Sequence, residues 1–257
     1  MTTEHGDRRD PQRSLKLLWG DLARPARGRP PALTLDAIVT AAVATADELA
    51  RTEGIEALTM RAIAKRLGVG TMSLYRYVPG KGELLDLMID HVIGEYEPED
   101  EENEEDERGW RAVLEAEAHR KWRMCMDHPW YPFVDQSRTI LGPNSLRGLD
   151  RVLGRLRPLG VGGRSLMMMV GVQSDYVEGT ARSHLNERRA VERTGLSGED
   201  FWAAQAPTLE KAVLSGRFPT MAALDENTFD WSYEQLFEFG LGRLHDGFAS
   251  YLGDRAG

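Results

Sequence analysis

Thr59, Arg61, Thr71, Met72, Ser73, Tyr75, Arg76, Tyr77 and Lys81 fall within a span of 23 residues and bring hydroxyl, guanidinium, ammonium, aromatic and thioether groups to one short stretch. The spacing pairs no nucleophile with a base. Hydroxyl and guanidinium groups suit hydrogen bonds to base edges, and cations suit phosphate. Residues 57–81 carry five basic side chains (Arg61, Lys65, Arg66, Arg76, Lys81) and no acidic one, inside a chain of formal charge −9. A one-signed window in an oppositely charged chain is what contact with a phosphate backbone requires.

Such groups need a frame. Met60, Ile63, Ala64 and Leu67 recur at helical spacing after Thr59, a suitable N-cap, and Gly68 falls where that helix must stop and the chain must turn. A second short helix over 71–78 would send Leu74 and Val78 inward and the polar groups outward, as a helix seated in a major groove does. A preceding helix is expected to start near Thr34, with Ile38, Ala42, Ala46 and Leu49 on its apolar stripe and Gly54 at its end. A following one, opened by Pro79 and Gly80, carries Leu84, Leu85, Leu87, Met88, Val92 and Ile93.

Beyond this unit the periodicity stays near 3.6. It predicts helices over about 109–127, 144–157, 162–192, 199–215 and 231–252, with a short turn near 130–137, and no strand pattern competes with them. The expected class is all-α: a helix-turn-helix DNA-binding domain followed by a second helical domain. The divisions are a flexible basic arm over 1–33, broken by Pro11, Pro25, Pro30 and Pro31; the DNA-binding domain over 34–95; an acidic linker over 96–108; and the helical domain over 109–257. Arg27 and Arg29 in the arm are placed to reach a minor groove. Residues 97–107 hold nine carboxylates in eleven residues, while the flanking parts each balance, so this run alone produces the −9. It reads as a solvated tether that could also compete with phosphate for the basic window.

A single cysteine, Cys125, rules out an internal disulfide framework and suits a reducing cytoplasm. No signal peptide and no run of about 18 apolar residues occurs, so a cytoplasmic protein without membrane contact is expected. His119, Cys125 and His128 lie near one another, but their spacing matches no metal-ligand pair. With no phosphate loop, dinucleotide fingerprint or nucleophile elbow, neither an enzyme, a metal nor a cofactor is expected.

Taken together, Thr59 and Arg61, Ala64, Leu67-Gly68-Val69, Leu74-Tyr75-Arg76-Tyr77-Val78, and Lys81 with Leu84-Leu85 resemble the DNA-binding domain of the TetR family of regulators. The final segment, 233–248, resembles the last helix of the subgroup with a tetracycline-repressor-like C-terminal domain. The resemblance implies a homodimer that binds a palindromic double-stranded DNA operator, usually as a repressor, and releases it when a small-molecule effector fills the C-terminal domain. By position, Arg61 matches a base contact, Thr71 and Ser73 recognition-helix contacts, and Tyr75, Tyr77 and Lys81 phosphate contacts, while Met72 and Arg76 occupy variable positions.

Met167, Met168 and Met169 with Met124 and Met126 suggest an adaptable apolar lining. On that basis Trp122, Met126, Trp130, Phe133, Met169, Gln173, Tyr176 and His184 are candidates to hold the effector. Leu236, Phe237, Leu241, Leu244 and Phe248 form apolar rows on the final helix, and Phe237, Leu241, Leu244 and Phe248 are the expected dimer contacts. The alternative is a DNA-binding regulator whose C-terminal domain is a protein-interaction module without a small-molecule ligand.

Overall fold

The computed structural model describes residues 10–20, 33–97, 109–225 and 227–253, and every regular element within them is helical. The reading unit is built from α2 (Leu35–Thr52), α3 (Met60–Leu67), α4 (Thr71–Tyr75) and α5 (Lys81–Glu95); α1 precedes it at Pro11–Trp19. Thr34 and Thr59 cap α2 and α3 as their types predict, their Oγ1 atoms accepting from the N–H groups of Ala37 at 3.1 Å and Ala62 at 3.2 Å. At the corner Gly68 adopts φ +67°, where a Cβ would be strained, and the Gly68 and Val69 N–H groups close on the Lys65 and Ala64 carbonyls. Leu58, Ile63, Leu74 and Val78 are fully buried around that corner. Each contributes about 1.5–3 kcal/mol by burial, which offsets the weak helix propensity of a five-residue α4.

The C-terminal part comprises α6 (Trp110–Asp127), α7 (Pro143–Leu156), α8 (Gly163–Thr194), α9 (Gly198–Ala212), α10 (Pro219–Ala222) and α11 (Tyr233–Gly253). Helix α8 packs on α6 and α11, and α7 packs on α5 and α6. Val113, Leu114, Val152, Leu156, Leu166 and Met169 form one apolar cluster there; Ala118, Val177, Phe237 and Leu241 form another. The main core crosses the expected domain boundary. Met124, Cys125, Trp130, Tyr131, Val134 and Ala181 belong to the same cluster as Ile38, Ile63, Leu74 and Met88.

One expectation needs correction here. Part of the supposed arm, Pro11–Trp19, is a helix: Asp10 caps it, Pro11 starts it, and the buried Ser14 donates to Asp86 of α5 at 2.6 Å. Trp19 Nε1 donates to the Leu141 carbonyl at 3.0 Å, so α1 bridges the two halves. The remaining arm, with Arg27 and Arg29, and residues 98–108 of the acidic run lie outside the described residues.

Candidate functional site

On the reading unit, Thr59, Arg61, Met72, Tyr75 and Arg76 are exposed, Met72 at 75%. Thr71, Ser73 and Tyr77 are half-buried. An exposed thioether on a helix whose other apolar residue, Leu74, is fully buried is unusual for an isolated surface and suits contact with base edges. Arg66 turns aside to pair with Glu48 at 2.8 Å. Lys81 departs from expectation. Its Nζ donates to the Ile55 and Glu56 carbonyls, each at 3.1 Å, so it fastens the start of α5 to the turn before α3 rather than standing as a phosphate-ready cation.

The opposite end of α5 enters the wall of a cavity of about 360 Å³, to which Ile93, Tyr96 and Glu97 contribute. Leu114, Met124, Val152 and Val177 supply its apolar surface. Its polar groups come from two networks. In one, Lys121 of α6 bonds Glu178 and Ser174 of α8 beside Tyr131. Burial opposes the charge on Lys121, but the Glu178 carboxylate paired with it outweighs this and holds the ammonium above its ordinary pKa. In the other, Arg151 Nε meets Glu97 at 3.2 Å and its Nη1 meets Glu117 at 2.7 Å, with Arg120 also on Glu117. Gln173, also in the cavity wall, is buried: its Nε2 donates to the Leu114 carbonyl at 2.8 Å, leaving Oε1 to accept from His245 Nε2 at 2.8 Å. Burial lowers the His245 pKa and keeps that ring neutral. An apolar body with a few fixed donors and acceptors describes a small-molecule site.

Cavity and reading unit are joined by polar contacts through the shared core. His128 Nδ1 lies 3.1 Å from Asp47 of α2 and its Nε2 lies 3.2 Å from Glu95 of α5. Burial alone would lower the His128 pKa; Asp47 and Glu95 reverse that and raise it. Trp130 Nε1 donates to the same Asp47 at 2.7 Å. From α8, Arg189 donates to the Ala50 carbonyl at 2.9 Å and stacks 3.9 Å over Phe133. Asp90 of α5 reaches the bare N-terminus of α7 and accepts from the Ser145 N–H at 2.8 Å and the Asn144 N–H at 3.2 Å.

Several expected site residues have other tasks. Of the eight ligand candidates, Gln173 is the one among the described cavity-lining residues. Trp130 is fully buried, and Phe133 and Met126 pack against the shared core. Met169 fills the α6–α7–α8 cluster. Trp122 stacks on Phe237 at 4.6 Å, Tyr176 donates to the Leu236 carbonyl at 2.7 Å, and His184 sits 5.9 Å from Trp122. The dimer set is also corrected: Phe237 and Leu241 are 2% exposed inside their own subunit, and Phe248 packs with the cluster of Val113, while Leu244 is half-buried. Lys121 is what sequence reasoning missed. It interrupts the apolar stripe Leu114, Ala118, Cys125, and a charge on a core-facing position signals a lined cavity. Cys125 itself is buried, its thiol pushed up to about 12, and His119 faces Glu238 and Phe237 instead of Cys125 or His128.

Comparison with known proteins follows the same two parts. Residues 42–88 match the family described as bacterial regulatory proteins, tetR family, and residues 102–252 match the tetracyclin repressor-like C-terminal domain. The HTH-type transcriptional repressor DrrR1 of Streptomyces coeruleorubidus is 46% identical over 256 residues, covering 100% of this chain and 92% of that protein. An HTH-type transcriptional regulator of Saccharopolyspora erythraea is 32% identical over 192 residues, 74% of this chain and 76% of its own. Apo ActR from Streptomyces coelicolor superposes with a TM-score of 0.68 at 28% identity, over 88% of this chain and 100% of ActR. ActR in complex with actinorhodin gives the same TM-score and identity over 87% and 100%. The chain therefore belongs to the TetR family of helix-turn-helix transcriptional regulators, in the group with a tetracycline-repressor-like C-terminal domain.

Proposed function

We propose that this regulator is a repressor that binds a palindromic operator as a homodimer and is released when a small organic molecule fills the 360 Å³ cavity. One observation carries the reading: α5 begins at Lys81, one short turn after the recognition helix and fastened to the turn before α3, and reaches the cavity wall at Ile93, with its C-cap Tyr96 also in that wall. A dimer reads a palindrome only while its two recognition helices sit about one duplex turn apart, roughly 34–36 Å. A ligand that wedges α5 from α6 and α7 favours a different spacing, and it acts only through its differential affinity for that state. The ActR–actinorhodin complex supports an organic effector, and the relative from S. coeruleorubidus supports repression. Base edges are assigned to Arg61, Thr71, Met72, Ser73 and Arg76, and phosphates to Thr59, Tyr75 and Tyr77. The surface for the second copy is assigned to the outer faces of α8 and α11, where Met168, Val172 and Phe239 are 59%, 49% and 65% exposed.

Selection of binding sites from random duplex DNA, followed by a thermal-shift screen of organic compounds, tests both halves. A two-fold symmetric consensus is expected, and compounds that raise Tm should dissociate the selected duplex. Leu149→Trp, which fills the cavity, should abolish the Tm shift while operator binding remains. An asymmetric consensus, or compounds that stabilise the variant equally, would sink the proposal.

A further inference from the structure

Helix α1 is held to the rest of the chain by few groups, and those groups fall on both functional parts. Ser14, Leu17 and Leu18 lie on one face at helical spacing, while Gln12, Arg13 and Lys16 are exposed. Ser14 is the one buried residue of the helix, and its Oγ donates to Asp86 of α5 at 2.6 Å. Leu17 and Leu18 pack half-buried on the main core. One residue further, Trp19 Nε1 donates to the Leu141 carbonyl at 3.0 Å. Leu141, with Gln136 and Thr139, lines the cavity from residues 134–142, the irregular stretch that leads into α7.

These contacts close a ring. Asp86 and Asp90 are both buried and stand one turn apart on α5. Asp86 takes α1 through Ser14, and Asp90 takes the start of α7 through the Ser145 and Asn144 amides. With Trp19 on Leu141, the path runs from α5 through α1, the cavity rim and α7 back to α5. The dimensions agree: at 1.5 Å per residue Ser14 and Trp19 are roughly 7.5 Å apart along α1, and Asp86 and Asp90 roughly 6 Å apart along α5. Residues 134–142 have no helical or strand bonding of their own, so what grips them from outside sets their place. A ligand that parts α5 from α7 strains this ring, and the ring yields where attachment is slightest, at a helix with one buried residue. We propose that α1 is a strap that holds the cavity rim to α5 in the operator-reading arrangement, with Ser14 and Trp19 as its positioning residues. The inference rests on the α5 reading above and adds what resists the movement of that helix.

Hydrogen exchange of the full chain, free and bound to the selected operator duplex, tests it. In the parent, amides of 134–142 should exchange about threefold more slowly, or slower still, on the duplex, because operator binding selects the fastened ring. Trp19→Phe removes the indole donor, whereas Ser14→Ala loosens the grip on α5 and alters no group at the rim. Each variant should speed exchange at 134–142 in the free protein by about fivefold or more and abolish the slowing by duplex, while amides of α6 and α8 exchange as in the parent. Acceleration by Trp19→Phe with a rim unchanged in Ser14→Ala would mark a local contact and overturn the strap. Equal acceleration throughout α6 and α8 would mark lost global stability and overturn it as well. Rim amides that ignore the duplex in the parent also overturn the strap and leave the α5 reading standing. That reading fails on a different result, compounds that raise Tm without dissociating the duplex.

Discussion

Arg61 and Lys81 are both cations of the basic window, yet the structure separates them. Arg61 stands exposed on α3, whereas the Lys81 ammonium is committed to the Ile55 and Glu56 carbonyls. Arg61→Ala should leave Tm unchanged and lower affinity for the selected operator by about 1–3 kcal/mol, with little loss on scrambled DNA. Lys81→Ala should lower stability by about 1–3 kcal/mol, because two carbonyls lose a charged donor. Thermal denaturation together with binding to both duplexes checks the pair, and an unchanged Tm for Lys81→Ala would return that residue to the phosphate set. His128 has a pH signature. Its folded pKa is raised, so its contribution is complete below the unfolded value of about 6.5 and is lost as pH rises through the folded value. The Tm difference between the parent and His128→Gln should therefore be largest in mild acid and narrow toward alkaline pH; a constant difference would contradict this. Thr59 and Gly68 were legible because their backbone tasks follow from residue type. The task of Lys81 was not, since its acceptors belong to a turn 25 residues earlier.

At the scale of elements, periodicity placed α2 to α9 and α11 to within a few residues. Helix α1 was hidden by the prolines and arginines around it, and the four residues of α10 are too few to show a period. The cavity was not legible, since its wall is assembled from α5, α6, α7 and α8 and no one stripe reveals it. The candidates chosen for their aromatic character instead pack where large apolar side chains stabilise most, in the core. The junction of α5 and α7 shows how closely these helices meet: a Cβ on Gly142 would lie 2.2–2.5 Å from the Asp90 carboxylate. Gly142→Ala should push Asp90 off the Asn144 and Ser145 amides, at a cost of about 1–3 kcal/mol from crowding. A denaturant midpoint equal to the parent's would show that the junction adapts freely.

For the whole molecule, charge arithmetic correctly isolated the acidic run from a balanced remainder, but charge cannot report on packing. The main core joins α2–α5 to Trp130, Tyr131 and Ala181, so the reading unit does not close around its own residues. Calorimetry of the free protein should show one unfolding transition, with calorimetric and van't Hoff enthalpies equal. Two resolved transitions would mean that the shared core does not couple the halves. The sequence pattern suggested two domains because helices are local, whereas a core that crosses a boundary depends on contacts such as Asp47 with Trp130, 83 residues apart.

Helix α5, with one end at the DNA-reading corner and the other in the cavity wall, also constrains the system in the cell. Thermodynamic linkage is symmetric: if the effector weakens operator affinity by some factor, operator DNA must weaken effector affinity by the same factor. Each occupied operator then holds its regulator in the state of lower effector affinity. Raising the number of operator copies should shift the induction threshold to higher effector concentration, even when the amount of regulator per operator is held constant.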